Sequence, residues 1–464
     1  MLRLNVLFPE QSKNKKHIDT TTIMRKTIRI VLLTLTFTTI CHGLTRAQDS
    51  VHVDLQKAIE IALSENPTVK IADRTIEAKK YYKSEQIAAL FPSLNGTASY
   101  QRTVKKQTMV MEMYGQVNEI EVGTSNNVSA GLSLSLPLVA APTWYNLKLS
   151  QLDVNAAVEN ARSSRISLVN EIKKAYYGLL FAKDSYRVLK VNYANVEYTA
   201  KNINDKYEQG LASDFDKLRA DVQVKNQKPQ LTSAENSIQL ATMMLKVLMG
   251  VDVNEPIIFD GQLSDFEDEM SNYQLVDARS VSLSGNSDLR QLELSQEQLN
   301  TTLKLVKASA CPTLAFSGNA QYSAMSNDFQ FTWFPYAVVG LSLNVPILSW
   351  AGTAYKIKQT KISIANMEEQ KQYVENNLRV SVNNSLTNMR NSIEDMISNK
   401  ETMNQAERAY SIVQKQFEVG MATWLDLNSA ELALTQSRLL YHQSIYNFLT
   451  AKSELEAVTG AEKY

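Results

Sequence analysis

Apolar residues follow two different rhythms along this chain. Four short stretches alternate apolar and polar positions one for one. Leu94, Gly96, Ala98 and Tyr100 oppose Ser93, Asn95, Thr97, Ser99 and Gln101. Val128, Ala130, Leu132, Leu134 and Leu136 oppose Ser129, Gly131, Ser133 and Ser135. Leu314, Phe316, Gly318, Ala320 and Tyr322 oppose Ala315, Ser317, Asn319 and Gln321. Ala337, Val339, Leu341, Leu343 and Val345 oppose Val338, Gly340, Ser342 and Asn344. A period of two predicts β-strands with one apolar face. The other face is mostly Ser, Asn, Thr and Gly, and about ten residues per strand is the length that crosses a bilayer at a tilt. A half-buried sheet in a soluble domain shows the same alternation, so the pattern alone leaves both readings open.

Elsewhere apolar positions recur every three or four residues, which predicts helices. One stripe runs Ile166, Val169, Ile172, Tyr176, Leu179, Ala182, Tyr186, Leu189, Tyr193 and Val196. Another runs Leu378, Val382, Leu386, Met389, Ile393, Met396, Met403, Ala406, Tyr410, Val413 and Phe417, with Lys400 filling one turn. No Gly or Pro lies between Gly352 and Gly420. A helix of that length measures roughly 100 Å. No single globular core is that long, so the helix must pack as a coiled coil or in a helical tube. The whole chain has only 15 Gly and 10 Pro, about half the average usage of each, as long uninterrupted elements require.

The patterns are written twice. Leu55, Ala58, Leu63, Asn66 and Val69 return as Leu275, Ala278, Leu283, Asn286 and Leu289. Phe91-Pro92-Ser93-Leu94 returns as Cys311-Pro312-Thr313-Leu314, and Gly131-Leu-Ser-Leu-Ser-Leu-Pro137 as Gly340-Leu-Ser-Leu-Asn-Val-Pro346. Tyr207-Glu-x-Gly210 returns as Phe417-Glu-x-Gly420. The first copy carries a longer loop between 100 and 131. The order within each copy is helix, strand, strand, helix, helix. Residues 48–250 are read as the first repeat and 275–464 as the second. Residues 251–274, crowded with acids such as Asp252, Glu255, Asp260, Asp265, Glu267, Asp268 and Glu269, are read as a solvated linker between them.

Residues 1–47 are set apart. Met24-Arg25-Lys26-Thr27-Ile28-Arg29 is basic, Ile30 to Ile40 is apolar or Thr, and Thr45-Arg46-Ala47 offers a cleavage site. This is the pattern of a secretory signal, behind a polar upstream extension. Lys and Arg total 48 against 48 Asp and Glu over the whole chain, a balance that disfavours a nucleic-acid binder. Removing 1–47 takes away eight basic residues and two acidic ones, leaving an exported, mildly acidic chain. With two Cys and four His, no disulfide framework or zinc cluster is expected. His52 and His442 are read as surface or packing residues, and Cys311 as a residue that packs rather than reacts. No phosphate loop or nucleophile elbow appears, and neither enzyme chemistry nor a cofactor is expected.

Each long helix ends at the same turn. Gly210-Leu211-Ala212-Ser213-Asp214-Phe215-Asp216 matches Gly420-Met421-Ala422-Thr423-Trp424-Leu425-Asp426. The glycine suits a left-handed helix end. Ser213 and Thr423 suit N-caps with an acid three residues on. Asp216 and Asp426 can thus be capping carboxylates, part of a gate or docking surface, or both. Phe329, Phe331, Trp333, Phe334 and Tyr336 precede the last strand and suit an interfacial aromatic girdle.

Four strands cannot close a membrane barrel, since such barrels begin at eight, and an open edge in lipid leaves unpaired backbone groups. Membrane strands therefore demand an oligomer. The exported duplication, the Gly-Leu-Ser-Leu-x-x-Pro strands and the Tyr/Phe-Glu-x-Gly-x-x-Ser/Thr tips resemble the TolC-like outer-membrane efflux channels across residues 55–460. That resemblance implies a mainly α fold with a membrane β-barrel contribution. A homotrimer would form a coiled-coil α-helical barrel and a twelve-stranded β-barrel in outer-membrane lipid. It implies a passive exit duct of a tripartite efflux or type I secretion system. Its partners would be a periplasmic adaptor (a membrane fusion protein) and an inner-membrane pump. Gly210, Leu211, Ser213, Gly420, Met421 and Thr423 would meet the adaptor, and Asp426 would line the closed aperture with Asn428, Ser429 and Asp216. Ala422 and Ser429 stand where such channels can carry an arginine and a second aspartate, which weakens any charged latch. An exported coiled-coil scaffold is the competing class.

Overall fold

The computed structural model describes residues 51–461 except 114, 275, 349 and 350. The signal segment and its cleavage site lie outside the described residues. In chain order the elements are β1 (Val51–Val53), α1 (Leu55–Glu65), α2 (Pro67–Ala88), β2 (Ser93–Arg102), β3 (Gln107–Met113), β4 (Gln116–Val122) and β5 (Asn126–Val139). Then come α3 (Ala141–Glu208), α4 (Asp214–Met249), β6 (Ile257–Phe259), α5 (Glu267–Ser271) and α6 (Ser287–Ala308). The chain ends with β7 (Thr313–Ser326), β8 (Thr332–Asn344), α7 (Gly352–Glu418) and α8 (Trp424–Thr459). β1 and β6 form a short two-stranded ladder of their own.

The long stripes form the two predicted helices, α3 of 68 residues and α7 of 67. Neither breaks: the interior of α7 contains no Gly or Pro, and α3 carries the single Gly178, which packs on the Tyr446 ring. Ile166, Val169, Ile172, Tyr176 and Leu179 of α3 are buried, as are Val382, Leu386, Met389 and Met396 of α7. α3 packs on α4 and α8, and α7 packs on α8 and α6. α4 holds Pro229 in its interior. No helix among the described residues is long and apolar enough to cross a membrane.

The repeat predicted from the sequence repeats as contacts. Asn66 caps α2, accepting from the Thr68 N–H at 2.7 Å, and its amide donates to the Leu248 carbonyl at 2.7 Å. Asn286 caps α6 in the same way and donates to the Val458 carbonyl at 2.8 Å. The left-handed residue after each return helix packs against that cap. A Cβ on Gly250 would sit 2.7 Å from the Glu65 carbonyl oxygen, and one on Gly460 would sit 2.0 Å from that of Gly285. Arg162 of α3 fastens the second joint, donating to the carbonyls of Gly285 (3.0 Å) and Gly460 (3.1 Å).

The four predicted strands form one antiparallel sheet in the order β2-β5-β7-β8. Its register carries apolar rows straight across. Leu94, Leu134, Gly318 and Val339 are one row, and Gly96, Leu132, Ala320 and Ala337 the next. On the other face, Ser99 and Ser129 lie in a row with Ser323, their hydroxyl oxygens 2.8 Å apart. Among the described residues, no strand pairs with the outer edge of β2 or of β8.

Three expectations change. The longer first loop contains the hairpin β3–β4, which pairs with nothing else. The acidic segment is anchored as well as solvated: Leu263 and Met270 are fully buried and Tyr273 meets Phe448 edge-on at 5.5 Å, while Asp252, Asp260, Asp265, Asp268 and Glu269 stay exposed. Two of its acids find cations, Glu267 binding Lys400 and Glu269 binding Lys452. Lys400, the odd member of the α7 stripe, is thereby explained. Finally, Cys311 is exposed instead of packed, because it sits in the turn between α6 and β7. His442 does pack, with Nδ1 3.8 Å from the buried Asp184 carboxylate.

Candidate functional site

The two repeated turns are built from backbone rules. α3 ends at Glu208, and Gly210 takes φ +75°. The Leu211 N–H then reaches back to the Lys206 carbonyl at 2.8 Å. α7 ends likewise, with Gly420 at φ +78° and the Met421 N–H donating to the Gln416 carbonyl at 2.7 Å. That conformation is open to glycine and strained for other residues. Nothing lies within 4 Å of a Cβ at either position, so backbone conformation rather than space selects glycine.

The next residues start the return helices. Ser213 accepts from the Asp216 N–H at 3.1 Å and donates its hydroxyl to the Asp216 carboxylate at 2.6 Å. Thr423 and Asp426 form the complete reciprocal box. Asp426 N–H donates to Thr423 Oγ1 (3.2 Å), while the Thr423 N–H (2.9 Å) and hydroxyl (2.5 Å) donate to Asp426 Oδ2. Those donors hold the Asp426 carboxyl below the usual carboxylate range. Asp426 thus closes a capping box with Thr423, whereas the Asp216 carboxylate takes the Ser213 hydroxyl. Ser429 is exposed and Asn428 half-buried on the first turns of α8.

A small core joins the two turns. Ala200, Ile203 and Ala220 are buried, with Ala212, Phe417 and Trp424 packed around them. The Arg219 guanidinium lies 4.8 Å from the Trp424 ring and 5.5 Å from that of Phe215, and Lys206 Nζ lies 5.0 Å from the Phe417 ring. Arg219 escaped the sequence reading, and Phe215 and Trp424 entered it only as letters of the motif. Outside this core the turns are bare and apolar: Leu211, Phe215, Val419, Met421 and Leu425 are all exposed. Close by, Glu431 is buried between α8 and α3, and burial pushes its carboxyl up to about 7 against a hydrogen bond from Asn195.

At the sheet, Phe331 precedes β8, but Trp333, Phe334 and Tyr336 lie within it. The register puts Trp333 in one apolar row with Tyr100, Val128 and Ala324. Phe334 and Tyr336 pair with Ser323 and Gln321 on the opposite face. The apolar face thus gathers Tyr100, Tyr322 and Trp333 near its β7–β8 turn. No group of His, Cys, Asp and Glu among the described residues could hold a metal ion.

Comparison with known proteins agrees with this architecture. The chain matches the family "Outer membrane efflux protein" over residues 58–251 and 278–461. It is 21% identical to the Outer membrane protein TolC of Escherichia coli over 425 residues, covering 88% of this chain and 82% of that one. The structure resembles the CmeC outer membrane channel of Campylobacter jejuni with a TM-score of 0.70 and 17% identity, over 88% of this chain and 85% of that one. It resembles the open state of the Neisseria gonorrhoeae MtrE channel at 0.69 and 18%, over 88% of both chains. Matched over both halves of its duplication, the chain belongs to the outer membrane efflux protein family, whose members are exit channels in the outer membrane and not enzymes.

Proposed function

We propose that three copies of this chain close into one duct, each giving four strands to a twelve-stranded barrel and its long coils to a helical tunnel. The observation that carries this is the sheet: an apolar face across four strands, with neither outer edge paired among the described residues. In lipid those edges must find strands, and the edge of β2 can meet that of β8 from the next copy. Twelve strands leave room for water where eight would be filled by side chains. The helices support the same assembly. Tyr355, Ile362, Tyr373 and Val380 recur along one exposed side of α7, and Leu240, Met243, Met244 and Val247 are exposed on α4.

In this reading a periplasmic adaptor docks on the bare apolar turns around Leu211 and Met421, and an inner-membrane pump delivers the substrate. Asp426 faces its symmetry mates at the closed aperture, with Asn428, Ser429 and Asp216 nearby, while still capping α8. No charged latch stands at Ala422 or Ser429, so the aperture gives only a weak cation preference. Outer-membrane fractionation and gel electrophoresis without boiling test the assembly. The expected result is a detergent-dependent trimer that dissociates on heating. A monomer soluble without detergent would favour the scaffold class and end this reading.

A further inference from the structure

The exposed tip surface serves the docking already described, but one group close to it is unexplained. Glu431 lies on the inner stripe of α8 between Leu427 and Leu434, where an apolar residue is expected. It is only 4% exposed, and its Oε1 has no hydrogen-bond partner. A cavity of about 10 Å³ beside it is lined by Val196 and Thr199 of α3, Gln223 of α4, and Trp424 and Asn428 of α8. The place is the seam where the first repeat's coil meets the second repeat's, just above the turns. The repeat sharpens the anomaly. The matching acid of the first half, Asp221, is exposed.

The groups facing Glu431 offer its charge little support. From α3 come Asn195, which hydrogen-bonds it, and Asn192 a turn away; from α4 come Gln223 and Gln227. α7 presents Tyr410, whose phenol is pushed up to about 12 by burial and by the Glu431 charge, with Glu418 beyond it. Arg438, further along α8, is engaged by Glu407 of α7 at 2.8 Å. Desolvation outweighs the Asn195 hydrogen bond.

We propose that Glu431 is a proton-sensitive latch on the duct: protonated, it lets the second coil lie against α3; ionised, it favours separation of the two coils and opening of the tips. The inference rests on the duct reading. Its sign follows from linkage. The packed seam binds the proton more tightly than a separated, hydrated one, which returns Glu431 towards its ordinary value of 4.5. Opening therefore gains as pH rises between 4.5 and about 7, by at most about tenfold per pH unit and per copy, and flattens above.

Spin labels at Lys201→Cys on α3 and Ala433→Cys on α8, in a Cys311→Ser background, read the seam by pulsed electron resonance without any need for conduction. Between about pH 5 and about pH 8, the distance should lengthen in the wild-type assembly and stay short in Glu431→Gln. Asn195→Ala, which removes the bond favouring the ionised form, should move the transition to higher pH even if Glu431→Gln fails to assemble. A wild-type seam that never moves, a Glu431→Gln seam that follows the wild-type curve, or an Asn195→Ala curve that does not shift overturns the latch. Bilayer conductance on the same samples separates the two readings. Movement without conduction would sink the duct and keep the latch. Conduction with a pH-indifferent seam would do the reverse.

Discussion

Thr423 and Asp426 bind each other in both directions, so neither can be changed without loosening the start of α8. Thr423→Ala should cost about 1 kcal/mol in local helix stability, read by hydrogen exchange at 424–428, and it should raise the open probability of the channel. The depressed Asp426 carboxyl gives a pH signature of the opposite sign to that of Glu431. Its capping contribution is present above the ordinary value of 3.8 and is lost as pH falls below it. The glycines separate conformation from space. Gly420→Ala meets no neighbour, so it should cost about 1–2 kcal/mol for its left-handed φ alone. Gly460→Ala adds a clash with the Gly285 carbonyl. Thermal unfolding of the two variants should therefore show the larger loss at Gly460. Equal losses would mean that the α6–α8 joint is looser than the structure has it.

At the scale of elements, the sheet makes the sharpest claim, because alternation fixes which side chains meet lipid. Leu134→Arg, in the row with Leu94 and Gly318, should cost about 2–4 kcal/mol near the bilayer midplane. Ser133→Arg, one residue away on the other face, should assemble and insert normally. Heat-resistance of the assembled species on gels reads both, and equal tolerance would mean the faces are assigned wrongly. The strands and long helices were legible in the sequence because each has one strong period and few interruptions. The hairpin β3–β4 was not, because its strands mix Met, Val, Glu and Asn and its position is an insertion in one repeat only. The acidic segment misled because seven acids hide the two residues that anchor it, Leu263 and Met270. At the tips, Gly210, Gly420, Ser213 and Thr423 were readable from local backbone rules. Arg219 on Trp424 was not, since it joins two turns some two hundred residues apart. Glu431 did leave a signal, an acid interrupting the spacing of Leu427 and Leu434, that only its burial makes meaningful.

For the whole molecule, the duplication explains how one chain can build both a membrane wall and a tunnel. Each half pays out a strand pair at one end and a helical turn at the other, and the joints at Asn66 and Asn286 fasten the halves in the same way. In the proposed assembly, further copies cover the apolar rows left exposed along α4 and α7. In that proposed assembly, the chain forms a water-filled duct closed at its tips. Single-channel recording of the purified assembly in planar bilayers tests it most directly. The wild type should show rare, brief openings, and Thr423→Ala long-lived, larger conductance. An assembly that inserts into the bilayer yet never conducts, with or without loosened tips, would contradict it.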